Sequence, residues 1–237
     1  MSAAKAAYAL GLPRVHLRTT SSTNDRAREL ALAGAPHGTL VTAAAQTAGR
    51  GRGGRSWSAP AGSSLLASLV LRSPPRLLPL IAPLAVADTA GPDARIKWPN
   101  DVVLIDGDEL RKLAGILIEG RPQEGWAVMG IGLNVAVALA ELPAELRAVA
   151  ATLGLPRSKI EPLLARLLGA LSLRLAQPPN ETLAAWRARD ALRGRRVAWP
   201  AGSGRAEGID GDGRLVVARD EGGRATLDAG EVHLAGA

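Results

Sequence analysis

The chain has 237 residues, of which 47% are hydrophobic, and a formal net charge of +7. This length suits one good-sized domain with a small appendage, and no apolar run approaches the ~18 residues that a membrane span needs. The absence of cysteine excludes disulfides, thiolate metal sites and a cysteine nucleophile. We also find no signal peptide pattern at the N-terminus, so we expect a cytoplasmic protein that does not enter a membrane.

The positive charge alone would fit a nucleic-acid-binding protein. Only four of the 29 basic residues are lysines, namely Lys5, Lys97, Lys112 and Lys159. We therefore interpret the arginine excess as a bias of composition spread over the surface. Against such a background, a lysine is more informative than an arginine.

In the first third of the chain, apolar patterns predict strands that alternate with helices. We predict strands at residues 15–19, 39–45 and 65–71, and helices at about 23–33 and 77–89. The third strand is apolar enough to be buried on both faces. Ser22, Thr23 and Asn24 open the first helix, and small polar residues there either cap the helix or face a ligand.

The glycine–arginine loop, which we define as residues 49–57 with the sequence GRGRGGRSW, follows the second strand. Glycines let backbone N–H groups approach an anion, arginines bind phosphate bidentately, and a Trp offers a flat face to a base. The dinucleotide fingerprint and the P-loop also match, but each needs a helix directly after the glycines. The residues after Trp57 do not start one, which leaves an ordered nucleotide site, a solvated loop, or a disordered RNA-binding segment.

The middle of the chain predicts a hairpin of two strands, one after Asp101 and one at residues 111–119. This pairing should bring Asp101 near Lys112 across the sheet, where a plain surface ion pair is the alternative interpretation. A further strand at 126–135 ends in GIGLN, and its glycines indicate a close approach of backbone or ligand, or else a bulge.

The C-terminal third predicts three helices and then a small β-rich unit. The helices are residues 143–153, a long one to residue 176 opened by a Ser158–Glu161 capping box, and one capped by Asn180. Glycine turns at 202–204, 211–213 and 222–223 then predict a small barrel that packs on the main domain. The expected domains are residues 1–190 and 191–237.

Four motifs in this order, GRGRGGRSW, KWPND, RKLAGIL and GIGLN, resemble those of biotin protein ligases, and Ser22-Thr23-Asn24 ahead of them also matches. The resemblance spans nearly the whole chain. It implies an α+β fold with a mixed β-sheet flanked by helices, similar to class II synthetases, and a C-terminal SH3-like barrel. Because the chain begins about 14 residues before the first strand, it resembles the form without an N-terminal DNA-binding domain, and we expect no specific DNA binding.

The resemblance implies a two-step reaction in which both nucleophiles come from the substrates. The carboxylate of biotin attacks the α-phosphate of ATP, with Mg²⁺ present, to give biotinyl-5′-AMP and pyrophosphate. A lysine of a biotin carboxyl carrier protein then takes the biotinyl group. Such a site must mainly offset the repulsion between a carboxylate and a polyphosphate.

The resemblance also implies the role of each site residue. Lys112, Arg50 and Asp101 would be catalytic, and Asp101 would also hold Mg²⁺, through water. The residues implied for biotin are Ser22, Thr23, Asn24, Gln46, Gly49, Arg50, Lys112 and Gly115. Those implied for ATP and the adenylate are Arg50, Arg52, Arg55, Trp57, Asn100, Lys112 and Asn134.

Two departures and two rivals accompany this interpretation. The turn between Asp101 and Lys112 is longer than in the family, and Ala136 stands where another Asn is expected. Lipoate ligase shares the fold, but its apolar-Phe-His-Asp run is missing here. A nucleic-acid-binding module would explain the charge but neither KWPND nor RKLAGIL.

The glycine–arginine loop should be mobile until phosphate supplies a counter-charge, and a homodimer is one candidate assembly.

Overall fold

The computed structural model describes residues 10–121, 124–228, 230 and 232–235. Residues 1–9, which include most of the segment tested for a signal peptide, lie outside the described residues. None of the described helices is long and apolar enough to cross a bilayer.

Seven strands form one mixed sheet in the order β1-β2-β3-β7-β6-β5-β4. They are β1 (Arg14–Thr20), β2 (Leu40–Gln46), β3 (Ser64–Arg72), β4 (Arg95–Lys97), β5 (Asp101–Asp106), β6 (Glu109–Arg121) and β7 (Trp126–Asn134). Only β1 and β2 run parallel, and every other neighbouring pair is antiparallel. The predicted mixed sheet is confirmed, together with all the strands that the sequence predicted for it; β4 was not foreseen.

Helices cover both faces of this sheet. The α-helices are α1 (Thr23–Leu32), α2 (Leu78–Ala90), α3 (Ala144–Arg147), α4 (Ile160–Ala176) and α5 (Pro179–Ala188). Of these, α1 packs on one face of the sheet, and α2 and α4 pack on the other. Strand β7 shows how the faces divide, because Met129 and Ile131 belong to the main core while Val128 packs with α1. The period of two along a strand therefore puts Gly130 and Gly132 on the face that α1 covers.

Three helix predictions need correction. The helix predicted at 143–153 ends at Arg147, because the backbone at 149–151 instead pairs with Lys112, whose N–H donates to Val149 O at 2.6 Å. The Ser158–Glu161 capping box does not form: α4 begins without a side-chain cap, and Glu161 pairs with Arg14. Asn180 lies inside the first turn of α5 rather than capping it.

Most of the extra residues between Asp101 and Lys112 lie in strands β5 and β6 and not in the turn between them. Asp106 pairs with Glu109, so the turn itself consists of two residues and the extra length extends the two strands. Gly107 adopts a φ of 59°, which a glycine tolerates without strain.

The C-terminal unit is an antiparallel sheet of five strands in the order β11-β10-β9-β8-β12. They are β8 (Arg196–Trp199), β9 (Gly202–Ile209), β10 (Leu215–Arg219), β11 (Arg224–Leu227) and β12 (His233–Leu234). The turns at 211–213 and 222–223 are confirmed, but residues 202–204 begin β9, where Gly202 pairs with Trp199. The sheet is consistent with the predicted SH3-like fold, although no pairing among the described residues closes it into a barrel.

The small sheet packs on the main domain, as predicted. Trp98 Nε1 donates to Gly213 O at 3.1 Å, and Val217 shares a core with α2. The boundary at residues 190/191 stays a prediction, since backbone on both sides of it bonds to Ile96 of β4.

Candidate active site

A cavity of about 280 Å³ opens over the α1 face of the main sheet, beneath the glycine–arginine loop. It collects residues that are far apart in the sequence, from α1, the loop and strands β2, β3, β6 and β7. All predicted site residues except Gly49 and Asp101 line it, namely Ser22, Thr23, Asn24, Gln46, Arg50, Arg52, Arg55, Trp57, Asn100, Lys112, Gly115 and Asn134.

Glycines on β6 and β7 make room for side chains that lie directly on the sheet. Gly115 and Gly132 are cross-strand partners, and the indole of Trp57 lies over both. A Cβ at Gly132 would fall 2.5 Å from Trp57 Cε2, and one at Gly130 would fall 2.0 Å from Asn24 Oδ1. The close approach that GIGLN indicates is confirmed, and side chains of the protein make it.

A β-bulge aims Lys112 into the cavity. Val102 pairs with Ala114 but Val103 pairs with Lys112, so Leu113 has no partner on β5. Leu113 and Ala114 are both fully buried in the core. The bulge thus shifts the alternation by one residue, and Lys112 shares the cavity face with Gly115, where a Cβ would lie 3.3 Å from Lys112 Nζ.

Lys112 meets Asp101 as the hairpin predicts. Lys112 Nζ lies 2.8 Å from Asp101 Oδ1, in contact but without the alignment of a hydrogen bond. The Asp101 side chain is only 16% exposed, so this is more than a surface pair. Lys112 Nζ also lies 5.8 Å from the centroid of the Trp57 ring, within cation–π range.

Asp101 faces a second, smaller cavity of about 120 Å³, which Arg52, Arg55 and Lys97 also line. Among the described residues there is no group of three or more His, Asp or Glu side chains that would hold a metal ion. One carboxylate still fits Mg²⁺ that arrives with ATP, since Mg²⁺ keeps several waters and is often held by one or two carboxylates plus substrate phosphates.

Thr23 and Gln46 form the polar end of the main cavity. Gln46 Oε1 accepts from the Thr23 N–H at 2.7 Å and lies 3.0 Å from Thr23 Oγ1. Ser22 occupies the N-cap position of α1 without a side-chain cap bond, so capping does not explain its hydroxyl. Ser22, Thr23 and Asn24 are all buried, which favours the interpretation that they face a ligand.

Arg50 lies between two carboxylates. Arg50 Nη1 is 2.7 Å from Asp25 Oδ1, and Arg50 Nη2 is 2.7 Å from Glu119 Oε1. The Asp25 hydrogen bond, helped by the charge of Glu119, raises the pKa of Arg50 above its ordinary value against the opposing effect of burial. The expectation that this arginine lacks a counter-charge until phosphate binds is wrong.

The rest of the glycine–arginine loop folds back on itself. Trp57 N donates to Gly49 O at 2.9 Å, and a Cβ at Gly49 would clash with Trp57 O. Gly49 therefore shapes the loop instead of lining the cavity. Gly53 and Gly54 both have positive φ, at 62° and 76°, so the tight turn needs glycine at both positions.

Two asparagines hold backbone at the rim of the cavity. Asn100 Nδ2 donates to Ile116 O at 2.7 Å, while its Oδ1 lies 3.4 Å from Arg52 Nη1. Asn134 is almost fully buried; its Nδ2 donates to Ala151 O at 2.9 Å and its Oδ1 accepts from Ser64. Both amides therefore already have partners within the protein.

The sequence missed two groups of site residues. Ser68, Asp25 and Glu119 bind predicted site residues, but each sits within a pattern that periodicity already explains as strand or helix. The apolar wall of Leu142, Leu146 and Val149 was missed because nothing in the local pattern shows that this segment returns to the cavity, where the backbone at 149–151 pairs with Lys112.

Comparison with known proteins gives a consistent result. Residues 16–135 match the biotin/lipoate A/B protein ligase family, and residues 194–234 match the biotin protein ligase C terminal domain. The chain is 38% identical over 239 residues to the biotin–[acetyl-CoA-carboxylase] ligase of Mycobacterium tuberculosis, covering 91% of this chain and 86% of that protein. A biotin protein ligase structure from Aquifex aeolicus, in complex with biotin and ATP, is similar with a TM-score of 0.77 and 26% identity, covering 93% of this chain and 97% of that one.

Other relatives are longer than the part that matches. The bifunctional ligase/repressor BirA of Bacillus subtilis is 40% identical over 156 residues, which cover 61% of this chain. The match spans only about half, 47%, of that relative's length. What the whole of that relative does is therefore not carried over with the match.

Proposed function

We propose that this chain, which belongs to the biotin/lipoate A/B protein ligase family, activates biotin with ATP and transfers the biotinyl group to a lysine of a carrier protein. The observation that carries the proposal is one cavity with a hydrogen-bonding end at Thr23 and Gln46 and a cationic end at Lys112. Biotin has the same division, with a polar ureido ring at one end and a carboxylate at the other.

The polar end favours biotin over lipoate. A ureido group offers two N–H donors and a carbonyl acceptor, which Ser22, Thr23 and Gln46 are able to satisfy. The dithiolane ring of lipoate offers no comparable donors or acceptors. Burying these side chains against it would leave polar groups unpaired, which is costly.

The cationic end suits the activation step. Lys112 is placed to bridge the biotin carboxylate and the α-phosphate, and an ammonium ion can follow an oxygen that moves during the reaction. Arg50, Arg52 and Arg55 line the same cavity and would hold phosphate oxygens. Asp101, which keeps Lys112 in place, would hold Mg²⁺ through water; Mg²⁺ would supply further positive charge against the phosphates.

The adenylate would be enclosed by the loop and the apolar wall. Trp57 is proposed to cover the adenine, and Asn134 to contact its edge through hydrogen-bonding capacity beyond its two protein bonds. Leu142, Leu146 and Val149 would exclude water from the mixed anhydride, which hydrolyses when water reaches it. Gly115 leaves room for Trp57 and Lys112, and its backbone is proposed to contact the biotin head; Asn100 would hold Arg52 toward the phosphates.

The acceptor that we propose is a lysine on a biotin carboxyl carrier domain of a biotin-dependent carboxylase. Cytoplasmic location, a homodimer and the lack of specific DNA binding stay predictions. Sedimentation with and without biotin and ATP would decide the assembly.

The deciding experiment measures pyrophosphate release with biotin or lipoate in the presence of MgATP, followed by mass spectrometry of an added carrier domain. We expect biotin-dependent release and a single biotinylated carrier lysine. Release with lipoate but not with biotin would establish the lipoate ligase instead. No release with either acid would refute the ligase proposal.

A further inference from the structure

Glu119, near the end of β6, contacts both the polar end of the cavity and the glycine–arginine loop. Its Oε2 accepts from Asn24 Nδ2 at 2.9 Å, and its Oε1 accepts from Arg50 Nη2 at 2.7 Å. The side chain is 25% exposed. No role in the reaction proposed above uses it.

The Asn24 amide can take only one orientation beside this carboxylate. Its Nδ2 donates to Glu119 and also to Leu117 O at 3.3 Å, two groups that can only accept. A rotated amide would turn its oxygen toward both acceptors. Asn24 Oδ1 must therefore face Ser68, whose Oγ lies 2.6 Å away.

This orientation fixes where the proton of Ser68 lies. A hydroxyl carries one proton, so Ser68 must give its proton to Asn24 Oδ1. Ser68 Oγ also lies 2.8 Å from Thr23 Oγ1, and Ser68 then has only a lone pair to offer there.

Thr23 consequently stands between two acceptors. Besides Ser68, its Oγ1 lies 3.0 Å from Gln46 Oε1, which the Thr23 N–H holds in place at 2.7 Å. Thr23 has one hydroxyl proton for these two contacts, so one pair of oxygens is left facing each other without a proton between them. A ligand N–H that enters beside Thr23 and Gln46 would supply the missing proton.

We propose that Glu119 is a positioning residue that keeps the polar end of the cavity one proton short, through Asn24 and Ser68, so that Thr23 and Gln46 together recognise an N–H donor. The proposal rests on the proposed function, because the donor that it serves is a ureido N–H of biotin. A carboxylate suits position 119 because it cannot donate a hydrogen bond, and so it cannot supply the proton that is missing between Ser68, Thr23 and Gln46.

Glu119→Gln would let the protein fill the deficit itself. Arg50 keeps the carbonyl oxygen of the new amide, because a guanidinium only donates, so the new NH₂ group faces Asn24. The Asn24 amide then rotates, giving up its 3.3 Å bond to Leu117 O and accepting from the amide at position 119. It donates to Ser68, Ser68 donates to Thr23, and Thr23 donates to Gln46. The ligand N–H no longer relieves an unfavourable contact, and we expect the Kd for biotin, measured by calorimetry without ATP, to rise about 10-fold, close to the effect of one net hydrogen bond.

The control is Glu207→Gln, which removes the same charge from an ion pair with Arg224 in the C-terminal sheet and should leave the Kd unchanged. A double variant separates hydrogen-bond direction from mere packing. When Glu119→Gln is combined with Asn24→Asp, the carboxylate at position 24 accepts both from the amide at position 119 and from Ser68, which restores the original direction. We expect the double variant to recover most of the affinity, whereas Asn24→Asp alone, facing Glu119, should weaken binding.

Each outcome decides something. Wild-type protein that neither binds biotin nor releases pyrophosphate with it would refute the proposed function itself. With active wild type, an unchanged Kd in Glu119→Gln, or a double variant no better than the single ones, would overturn the positioning role. If Glu119→Gln fails to fold by circular dichroism, Ser68→Ala removes one of the two acceptors around Thr23; an unchanged Kd there would overturn the proposal equally.

Discussion

Replacing Lys112 with alanine tests the centre of the proposed mechanism. Its ammonium group is the one lysine charge in the main cavity among the described residues, and the bulge at Leu113 fixes its direction. Losing one preorganised donor at developing charge costs roughly 10²- to 10³-fold in rate, about 2.7–4 kcal/mol. We expect that loss in biotin-dependent pyrophosphate release and a loss in transfer from supplied biotinyl-AMP.

The structure also predicts a separate effect on stability. Lys112→Ala leaves the Asp101 carboxylate, 16% exposed, without its 2.8 Å partner, and an unpaired buried polar group costs about 1–3 kcal/mol. The double variant with Asp101→Ala should recover that stability in thermal unfolding while activity stays low. This separates a damaged fold from lost chemistry.

Lys112→Arg is the informative conservative change. The charge remains, but the planar guanidinium cannot take the place of a compact ammonium between Asp101 and Trp57. We expect poor rescue of pyrophosphate release. Wild-type rates in the alanine variant would remove Lys112 from the mechanism.

Strands β6 and β7 show most clearly which features of the site can be predicted from the sequence. The motifs predicted that Lys112 and Asp101 would meet, because hairpin pairing follows from two adjacent apolar runs. Periodicity did not reveal the bulge at Leu113, since one extra residue leaves the apolar pattern of a buried strand intact. The glycines of GIGLN predicted a close approach, but only the fold shows that Asn24 and Trp57 make it.

The errors have a common physical cause. Residues 143–153 have helical composition. However, the backbone of Val149 and Ala151 pairs with the backbone of Lys112, and this tertiary pairing overrides helix propensity. Ser158, Glu161 and Asn180 match capping patterns, but Glu161 forms an ion pair with Arg14 instead. The counter-charges of Arg50 come from α1 and β6, at separations of 25 and 69 residues, which no local pattern reports.

Gly132→Ala places a Cβ 2.5 Å from Trp57 Cε2, so the indole must move. We expect the KM for ATP to rise about 10-fold, within the 1–3 kcal/mol that base stacking contributes. The control is Gly169→Ala on α4, which has open space around it and should leave the KM unchanged. Burial raises the pKa of the Asp190 carboxyl above its ordinary value of 3.8, so the stability that this group contributes is present below pH 3.8 and is lost as the pH rises through the raised pKa. In thermal unfolding, Asp190→Asn should not show this loss of stability with rising pH. Parallel curves of stability against pH for the two proteins would contradict the prediction. Finally, the glycine–arginine loop should be cut by trypsin in the free protein and protected by biotin with MgATP, because bound phosphate would hold the arginines of the loop in place. Cutting should occur after the exposed Arg55 sooner than after Arg50, because Asp25 and Glu119 already hold Arg50. Equal cutting with and without ligands would mean that the loop is already closed, and its proposed role as a cover would fail.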